Sequence, residues 1–298
     1  MSVTGGSAVQ APAPTGTSAS ATGSPSGDRV PSPPVAQSIF EPTDIEGRVR
    51  ATELARGPWD PNAQHGGAPA ALLVRAFERL PNPDDLVIAR LTYEFLRPVP
   101  LTTLNVGAEI VRPGRRVQLL DGALTDESGH TVVTARALRI RRTDTDVAAA
   151  AAPAPPDRVP PGPEHGRASD FPGTEPMFAT HAMEIRFLEG AFLSVGQATA
   201  WFHLRAPLID GEVPSPVQRL AAAADFGNGI SAALPWDGYV FINPDLTVYI
   251  DREPAGEWVC LQAETRIAAG GAAVAESALL DERGRVGRAV QALLVGRR

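Results

Sequence analysis

The sequence contains no lysine, so arginine supplies all 27 basic side chains, against 34 acidic ones and a formal net charge of -7. The isoelectric point is near 5.3. Binding to nucleic acid or to an anionic membrane requires a concentrated positive field, which this charge balance does not provide. We therefore expect neither nucleic acid nor a membrane to be the main partner.

Cysteine occurs once, as Cys260, which excludes an intrachain disulfide and a multi-cysteine metal site. Its apolar neighbours predict a buried strand residue rather than a nucleophile. Long hydrophobic runs are also missing, because none reaches the roughly 18 residues of a membrane-spanning helix, and the N-terminus has neither a basic leader nor an apolar stretch. A cytoplasmic location is the resulting expectation.

The composition that remains, 43% hydrophobic and 20% charged, suits one large globular domain or two small ones. Residues 1–38 are almost entirely Ala, Pro, Ser, Thr and Gly and cannot bury enough surface to offset their ordering entropy, so they are predicted to be a disordered tail. A second Pro- and Ala-rich segment, residues 143–173, is predicted to be a linker. Two folded parts remain, residues 39–142 and 174–298.

The two parts resemble each other in sequence. Residues 125–140 (TDESGHTVVTARALRI) align with residues 280–295 (LDERGRVGRAVQALLV) at an offset of 280 − 125 = 155 positions. The same offset places Arg97 of the FLRPVP segment over Arg252 of the IDREP segment. One offset for two separate segments indicates a duplicated unit.

Each part has the same predicted order of elements, one long helix and several strands. The first helix is predicted at residues 68–80, with one broad apolar face, and the accompanying strands at 47–55, 85–96, 103–112, 116–126 and 131–142. The second helix is predicted at residues 215–234, with Ser215 as its N-cap and Pro216 at its first position. Its strands are predicted at 183–188, 197–208, 246–251, 258–267, 272–281 and 285–295.

Three polar residues of the second part occupy positions that require an explanation. Asp225 falls at the edge of the apolar helix face, so it is either a carboxylate with a function or a turn residue where the helix loosens into FGNG. Gln291 shares a strand face with apolar residues, where its amide needs partners. Asn243, in an N-P-D sequence, either binds a water or forms an ordinary turn.

The first part has a possible anion site where its helix begins. Gly66 and Gly67 would expose backbone N–H groups at the positive end of the helix dipole, where they can stabilise an oxyanion. The alternative is a tight turn into the helix with no binding role. His65 either orients a ligand or acts as a base, or else is a packing or capping residue.

Short motifs occur in a fixed order along both parts. The first part has Gly66–Gly67, an FLRP turn and an R-x-G turn at residues 112–114, and the second has Ala-Asp-Phe at 224–226, R-x-P at 252–254 and Val290–Gln291. This order and spacing resemble the acyl-CoA thioesterases of the double-hotdog, type II (TesB-like) family over residues 45–298, outside the linker. The resemblance implies an α+β fold, a double hotdog in which two antiparallel sheets are each wrapped around a central helix.

The resemblance also implies a reaction, the hydrolysis of an acyl thioester by a water that Asp225 activates as general base. Gln291 and Asn243 would hold this water, and the glycine N–H groups would stabilise the oxyanion. Asn243 departs from the family, which usually carries a hydroxyl residue such as threonine there. Neither a metal nor a cofactor is needed, and the substrate would be an acyl-CoA or acyl-carrier thioester.

Two other functions remain open. A double-hotdog dehydratase or hydratase would pair an aspartate with a histidine five residues along or on the facing helix, and the fifth residue after Asp225 is Ile230. A non-catalytic acyl-thioester-binding protein is the other alternative. We further expect the two parts to fold as one unit with their sheets joined edge to edge, because a single sheet would leave an open strand edge. By resemblance, the chain is expected to form a homo-oligomer.

Overall fold

The computed structural model describes residues 37–142, 159–172 and 174–298. The predicted tail, apart from residues 37 and 38, and residues 143–158 of the predicted linker lie outside the described residues. Among the helices that the structure describes, none combines the length and the apolar character needed to cross a membrane.

The first part consists of one helix and six strands. Helix α1 is Gly67–Glu78, and the strands are β1 (Phe40–Pro42), β2 (Arg48–Ala51), β3 (Leu86–Phe95), β4 (Thr103–Arg112), β5 (Val117–Thr125) and β6 (Thr131–Arg141). Burial alternates residue by residue along β5, as expected for a strand with one face on the core. The predicted strand 47–55 is shorter than expected, because the Thr52 side chain accepts a hydrogen bond from Leu54 N and starts a 3-10 turn.

The second part contains two α-helices, a 3-10 helix (Pro163–His165), a π-helix (Phe178–Ala182) and eight strands in the described residues. The α-helices are α2 (Pro216–Ala224) and α3 (Gly227–Ile230). The strands are β7 (Arg167–Ala168), β8 (Met183–Glu189), β9 (Ala198–Leu204), β10 (Tyr239–Ile242), β11 (Asp245–Ile250), β12 (Trp258–Ile267), β13 (Ala272–Asp281) and β14 (Gly284–Arg297). Cys260 of β12 is fully buried, as predicted, and burial raises the pKa of its thiol to about 12.

The prediction of one continuous helix over residues 215–234 is wrong. Helix α2 ends at Ala224, Asp225 is its C-cap, and the four-residue α3 follows. Glycine weakens the helix at this point. The Gly227 backbone also lies so close to the sheet that a β-carbon there would come within 2.7 Å of Ser277 Oγ. Because of this break, Asp225 lies at the end of α2 and not inside a regular helix.

The strands form a single antiparallel sheet, in which the two sheets implied by the resemblance are continuous with each other. Its order is β1-β2-β4-β5-β6-β3-β11-β14-β13-β12-β9-β8-β7, with β10 paired to β14. The two parts join through β3 and β11, where Glu94 lies opposite Asp245 and Arg90 opposite Tyr249. The parts are therefore joined edge to edge, as expected, because this pairing satisfies two otherwise open strand edges.

Helices α1 and α2 pack against each other in antiparallel orientation. The last residue of α1, Glu78, accepts a hydrogen bond from the Ser215 hydroxyl at the start of α2. At the opposite end, Gly67 of α1 lies against the Ala222 carbonyl, so close that a β-carbon at residue 67 would be 2.4 Å from that oxygen. Each end of the helix pair thus brings the start of one helix to the end of the other.

The duplication is also visible in two acidic turns. Asp281 is fully buried and accepts two hydrogen bonds from Arg252, at 2.5 and 2.6 Å, and one from Arg283 N. The corresponding residue 155 positions earlier, Asp126, accepts hydrogen bonds from Ser128 N and His130 N. Burial alone would raise the pKa of Asp281, but the hydrogen bonds from Arg252 and the backbone outweigh it and lower that pKa.

Residues 159–172, which fall within the segment expected to be a linker, lie on the second part. Strand β7 pairs with β8, and the Trp201 indole N–H donates to the Pro161 carbonyl at 2.7 Å. This segment covers the apolar cluster that Trp201 forms with Cys260 and Leu280.

Candidate active site

A cavity of about 440 Å³ opens where the start of α1 meets the end of α2. Four of the residues singled out from the sequence line it: His65, Gly66, Asp225 and Asn243. Gln291 contacts Asp225 from outside the cavity wall. A larger, more open groove of about 680 Å³ lies over β3 to β6 and contains none of these residues.

The Asp225 carboxylate is held by three side chains. Its Oδ1 atom accepts hydrogen bonds from Asn243 Nδ2 at 2.9 Å and from Gln291 Nε2 at 3.3 Å. Its Oδ2 atom is 3.1 Å from His65 Nδ1, and the Asp225 side chain is only 6% exposed. The three contacts therefore fix the position of this carboxylate.

Asn228 orients the two amides that contact Asp225. The Asn228 backbone N–H donates to Gln291 Oε1 at 3.1 Å, so the Gln291 amino group faces Asp225. The Asn228 side-chain amide donates to the Phe241 carbonyl and lies 3.5 Å from Asn243 Oδ1. Sequence reasoning missed Asn228, and its only signal was a polar residue in a glycine-rich segment directly after the Ala-Asp-Phe motif.

The Nδ1 atom of His65 contacts two groups. It lies 3.1 Å from Asp225 Oδ2 and also accepts from the Gly67 N–H at 3.1 Å. A ring nitrogen either donates or accepts, so both contacts are satisfied together only when the hydrogen belongs to Asp225. When Nδ1 carries the hydrogen, it donates to Asp225 and the Gly67 N–H loses its acceptor. The ring packs against Phe226, with centroids 4.2 Å apart.

The two glycines are required by close packing of protein groups. A β-carbon at Gly66 would lie 2.7 Å from Asp225 Oδ2, and one at Gly67 would lie 2.4 Å from the Ala222 carbonyl. This packing is a reason for glycine beyond the two considered from the sequence, an oxyanion site and a tight turn. Only Gly66 lines the cavity, and its N–H makes no hydrogen bond to any residue that the structure describes.

Aromatic side chains form much of the cavity wall. Trp59 stacks on Trp236 with ring centroids 4.6 Å apart, and Phe171 meets Phe192 edge to face at 4.9 Å. None of these residues was singled out from the sequence. In the part of the chain that the structure describes, no group of three His, Cys, Asp or Glu side chains is placed to hold a metal ion.

Comparison with known proteins identifies both parts. Residues 55–140 match the family model described as the acyl-CoA thioesterase N-terminal domain, and residues 156–295 match the C-terminal domain. A search of proteins with curated descriptions gives no match.

Solved structures of similar fold extend over most of the chain. One is an acyl-CoA thioesterase II from Mycobacterium marinum, with 16% identity, a TM-score of 0.59, and 83% of this chain and 96% of that chain covered. Another is a hot dog fold protein from Alicyclobacillus acidocaldarius, with 18% identity, a TM-score of 0.65, and coverage of 86% and 95%. The sheet around α1 and α2 thus has the hotdog fold. Since the two domain models together match about three quarters of the sequence, the chain belongs to the acyl-CoA thioesterase family.

Proposed function

We propose that this protein hydrolyses acyl-CoA thioesters, or the equivalent acyl-carrier thioesters, in the cavity beside Asp225. The observation that carries the proposal is a nearly buried carboxylate that forms part of an apolar cavity and is held by Asn243, Gln291 and His65. A carboxylate fixed in this way is suited to accept a proton from a water that attacks a bound thioester.

The three contacts give the two oxygens of Asp225 different roles. Oδ1 is occupied by two amide donors, so Oδ2, on the side of His65, is the oxygen that would accept the proton. The water oxygen forms a bond to the carbonyl carbon while its proton passes to Asp225. The carbon–sulfur bond then breaks, and the proton returns to the departing thiolate, so that a carboxylic acid and a free thiol are released. In this scheme Asn243 and Gln291 position the base rather than the water.

The N-terminus of α1 would stabilise the oxyanion in the same reaction. Gly66 lines the cavity, and its N–H is free of other acceptors in the described residues. The Gly67 N–H is engaged by His65. We therefore assign the oxyanion to the Gly66 N–H, with a second donor from Gly67 when His65 turns its hydrogen toward Asp225.

Release of free thiol from a panel of acyl-CoAs tests this function. The purified protein is expected to liberate CoA and the matching acid in equal amounts, without added metal. A protein that bound acyl-CoA tightly and released no thiol at any chain length would be a binding protein, and the proposal would then fail.

A hydratase is the second candidate, because His65 contacts Asp225 from the start of the facing helix at 3.1 Å. An Asp–His pair is the constellation expected for hydration of an enoyl thioester. Incubation with an enoyl-CoA separates the two reactions: hydration removes the conjugated double bond with no release of thiol, whereas hydrolysis releases thiol and leaves the double bond intact.

A further inference from the structure

The cavity beside Asp225 has two unlike ends. Its mouth is bordered by exposed residues, including Leu96, Ile242 and Leu294, which are 55%, 41% and 67% exposed. Its inner end is lined by buried apolar side chains, namely Ala179, Phe192 and Phe226. The cavity therefore offers a substrate one end bordered by exposed residues and one end lined by buried apolar side chains.

Gly229 of α3 forms part of the cavity wall without filling the space in front of it. A β-carbon at this position would meet only Phe192 Cε1 among the described residues, at 4.0 Å, which is an ordinary contact. Gly227, two residues earlier, differs: a β-carbon there would come within 2.7 Å of Ser277 Oγ and 2.9 Å of Gln291 Oε1. Packing thus requires glycine at residue 227, whereas residue 229 has room for a side chain.

The chemistry of the substrate decides which part occupies which end. The carrier of a thioester is long and polar, and its phosphates retain their hydration, so it must extend through the mouth into solvent. The acyl chain is apolar and gains free energy from burial. Because Ala179, Phe192 and Phe226 carry no charge, a carboxylate at the far end of the acyl chain would be buried there without a partner.

We propose that the inner end of the cavity binds an unsubstituted alkyl chain of the substrate and that Gly229 determines how long this chain can be. This inference rests on the proposed thioesterase function. A larger side chain at residue 229 would occupy the space that the last methylene groups fill, so the enzyme would keep short substrates and reject long ones. Acyl groups long enough to bring a terminal carboxylate to this inner end would be poor substrates.

The first test compares wild type with Gly229→Leu and Gly229→Ala on a series from acetyl-CoA to palmitoyl-CoA. For Gly229→Leu, kcat/KM is expected to fall about 10- to 200-fold on chains that reach the leucine and to stay at the wild-type value on shorter ones. Gly229→Ala should shorten the longest accepted acyl chain by less than Gly229→Leu does. Both replacements raise helix propensity, which favours folding of the variants.

Two control variants locate the effect. Gly270→Leu places the same side chain at an exposed glycine of the β12–β13 turn, where a β-carbon would meet nothing within 4 Å, and should leave the chain-length profile unchanged. Leu294→Ser removes an apolar side chain from the mouth. A profile altered by Leu294→Ser and unaffected by Gly229→Leu would show that the chain lies along the mouth, and would overturn the inference.

A second measurement separates this inference from the proposed function. Alkyl-CoA thioethers of increasing length cannot be hydrolysed, and those that fit are expected to raise the melting temperature of wild type progressively. Gly229→Leu should lose this gain for the longer ligands only. Absence of thiol release with a length-dependent melting shift that Gly229→Leu abolishes would reject hydrolysis and retain the chain site. Equal shifts in wild type and Gly229→Leu at every length would reject the chain site.

Discussion

The two ends of the α1–α2 helix pair each contain a carboxylate, and they differ in what surrounds it. At one end Glu78 accepts hydrogen bonds from the Ser215 hydroxyl and the Gln218 amide, both at 2.6 Å. At the other end Asp225 is held by Asn243, Gln291 and His65 beside a cavity of about 440 Å³. Both ends of the helix pair therefore place a carboxylate where the two helices meet. They differ because Asp225 lines the cavity of about 440 Å³ and Glu78 does not.

The two carboxylates also differ in the elements that supply their hydrogen-bond donors. Glu78 meets the first turn of α2, where Ser215 also accepts from Gln218 N and caps the helix, so its donors belong to a helix start. Asp225 follows the last turn of α2, and its donors come from β14 and the segment before β11. The helix break places Asp225 at the C-cap of α2, where the residue lines the cavity.

The largest effect is expected from neutralising each carboxylate in turn. Asp225→Asn keeps the shape of the side chain, and its new amino group can donate to His65 Nδ1, but it cannot accept a proton from water. We expect kcat for thioester hydrolysis to fall by about 10² to 10⁴ with little change in melting temperature. The matched control, Glu78→Gln, should keep the wild-type kcat. Equal losses of kcat in both variants would contradict the proposal that Asp225, and not Glu78, acts as the base.

A second pair of variants separates the two glycines. In Gly66→Ala the new methyl group would displace Asp225 Oδ2, and a base moved by about 1 Å can lose roughly 10² in kcat. In Gly67→Ala the methyl group would press on the Ala222 carbonyl, which costs about 1 to 3 kcal/mol of stability and leaves the base in place. Steady-state kinetics and thermal melting on both variants check this. A loss of kcat in Gly67→Ala with normal kcat in Gly66→Ala would instead place the base beside Gly67.

Loss of the hydrogen bond from Asn243 to Asp225 is expected to have a smaller effect on kcat. Asn243→Leu removes one of the two donors to Oδ1 of Asp225, and loss of a hydrogen bond to a charged group, about 1.5 to 3 kcal/mol, corresponds to roughly tenfold or more in kcat. Asn243→Thr restores a donor of the type that the family resemblance implied, so it should retain more activity than the leucine variant. If threonine and leucine gave the same kcat, a direct role for this donor would be excluded.

The smallest effect concerns stability at the Glu78 end. Burial raises the pKa of Glu78 above its ordinary value of 4.5, with the hydrogen bonds from Ser215 and Gln218 acting in the opposite direction. A group whose pKa is higher in the folded state than in the unfolded state stabilises the fold when it is protonated. This contribution is fully present below the unfolded-state pKa and is lost as pH rises through the folded-state pKa. As pH rises above the ordinary pKa of 4.5, the free energy of unfolding of wild type should therefore decrease relative to that of Glu78→Gln. Urea titrations at increasing pH measure the difference, and a difference of opposite sign would contradict the burial argument.

Much of the fold could be predicted from the sequence, because local pattern determines it. Strands β4, β12 and β13 have the predicted bounds, and α1 differs from its prediction by two residues or fewer. The single sheet depends on how the edges of β3 and β11 meet, which alternation along one strand does not encode. The break in the second helix depends on contact between Gly227 and the sheet, so helical periodicity missed it.

The site was less accessible to sequence reasoning. The family resemblance assigned Asp225, Asn243 and Gln291 to one site, and in the structure both amides contact Asp225. The contact between His65 and Asp225 arises where two helices cross, and no local signal marks it. Phe192 and Gly229 also went unnoticed, because a phenylalanine in a loop is typical of core packing and a glycine after a helix is typical of a turn.

The central claim, that Asp225 activates a water molecule and is not itself acylated, is tested most directly by turnover in water enriched in oxygen-18. We predict that the released acid carries one labelled oxygen per turnover, while the peptide that contains Asp225 keeps its natural mass after many turnovers. Oxygen-18 in that peptide, or an acyl adduct on it, would contradict the account, because the carboxylate would then be the nucleophile.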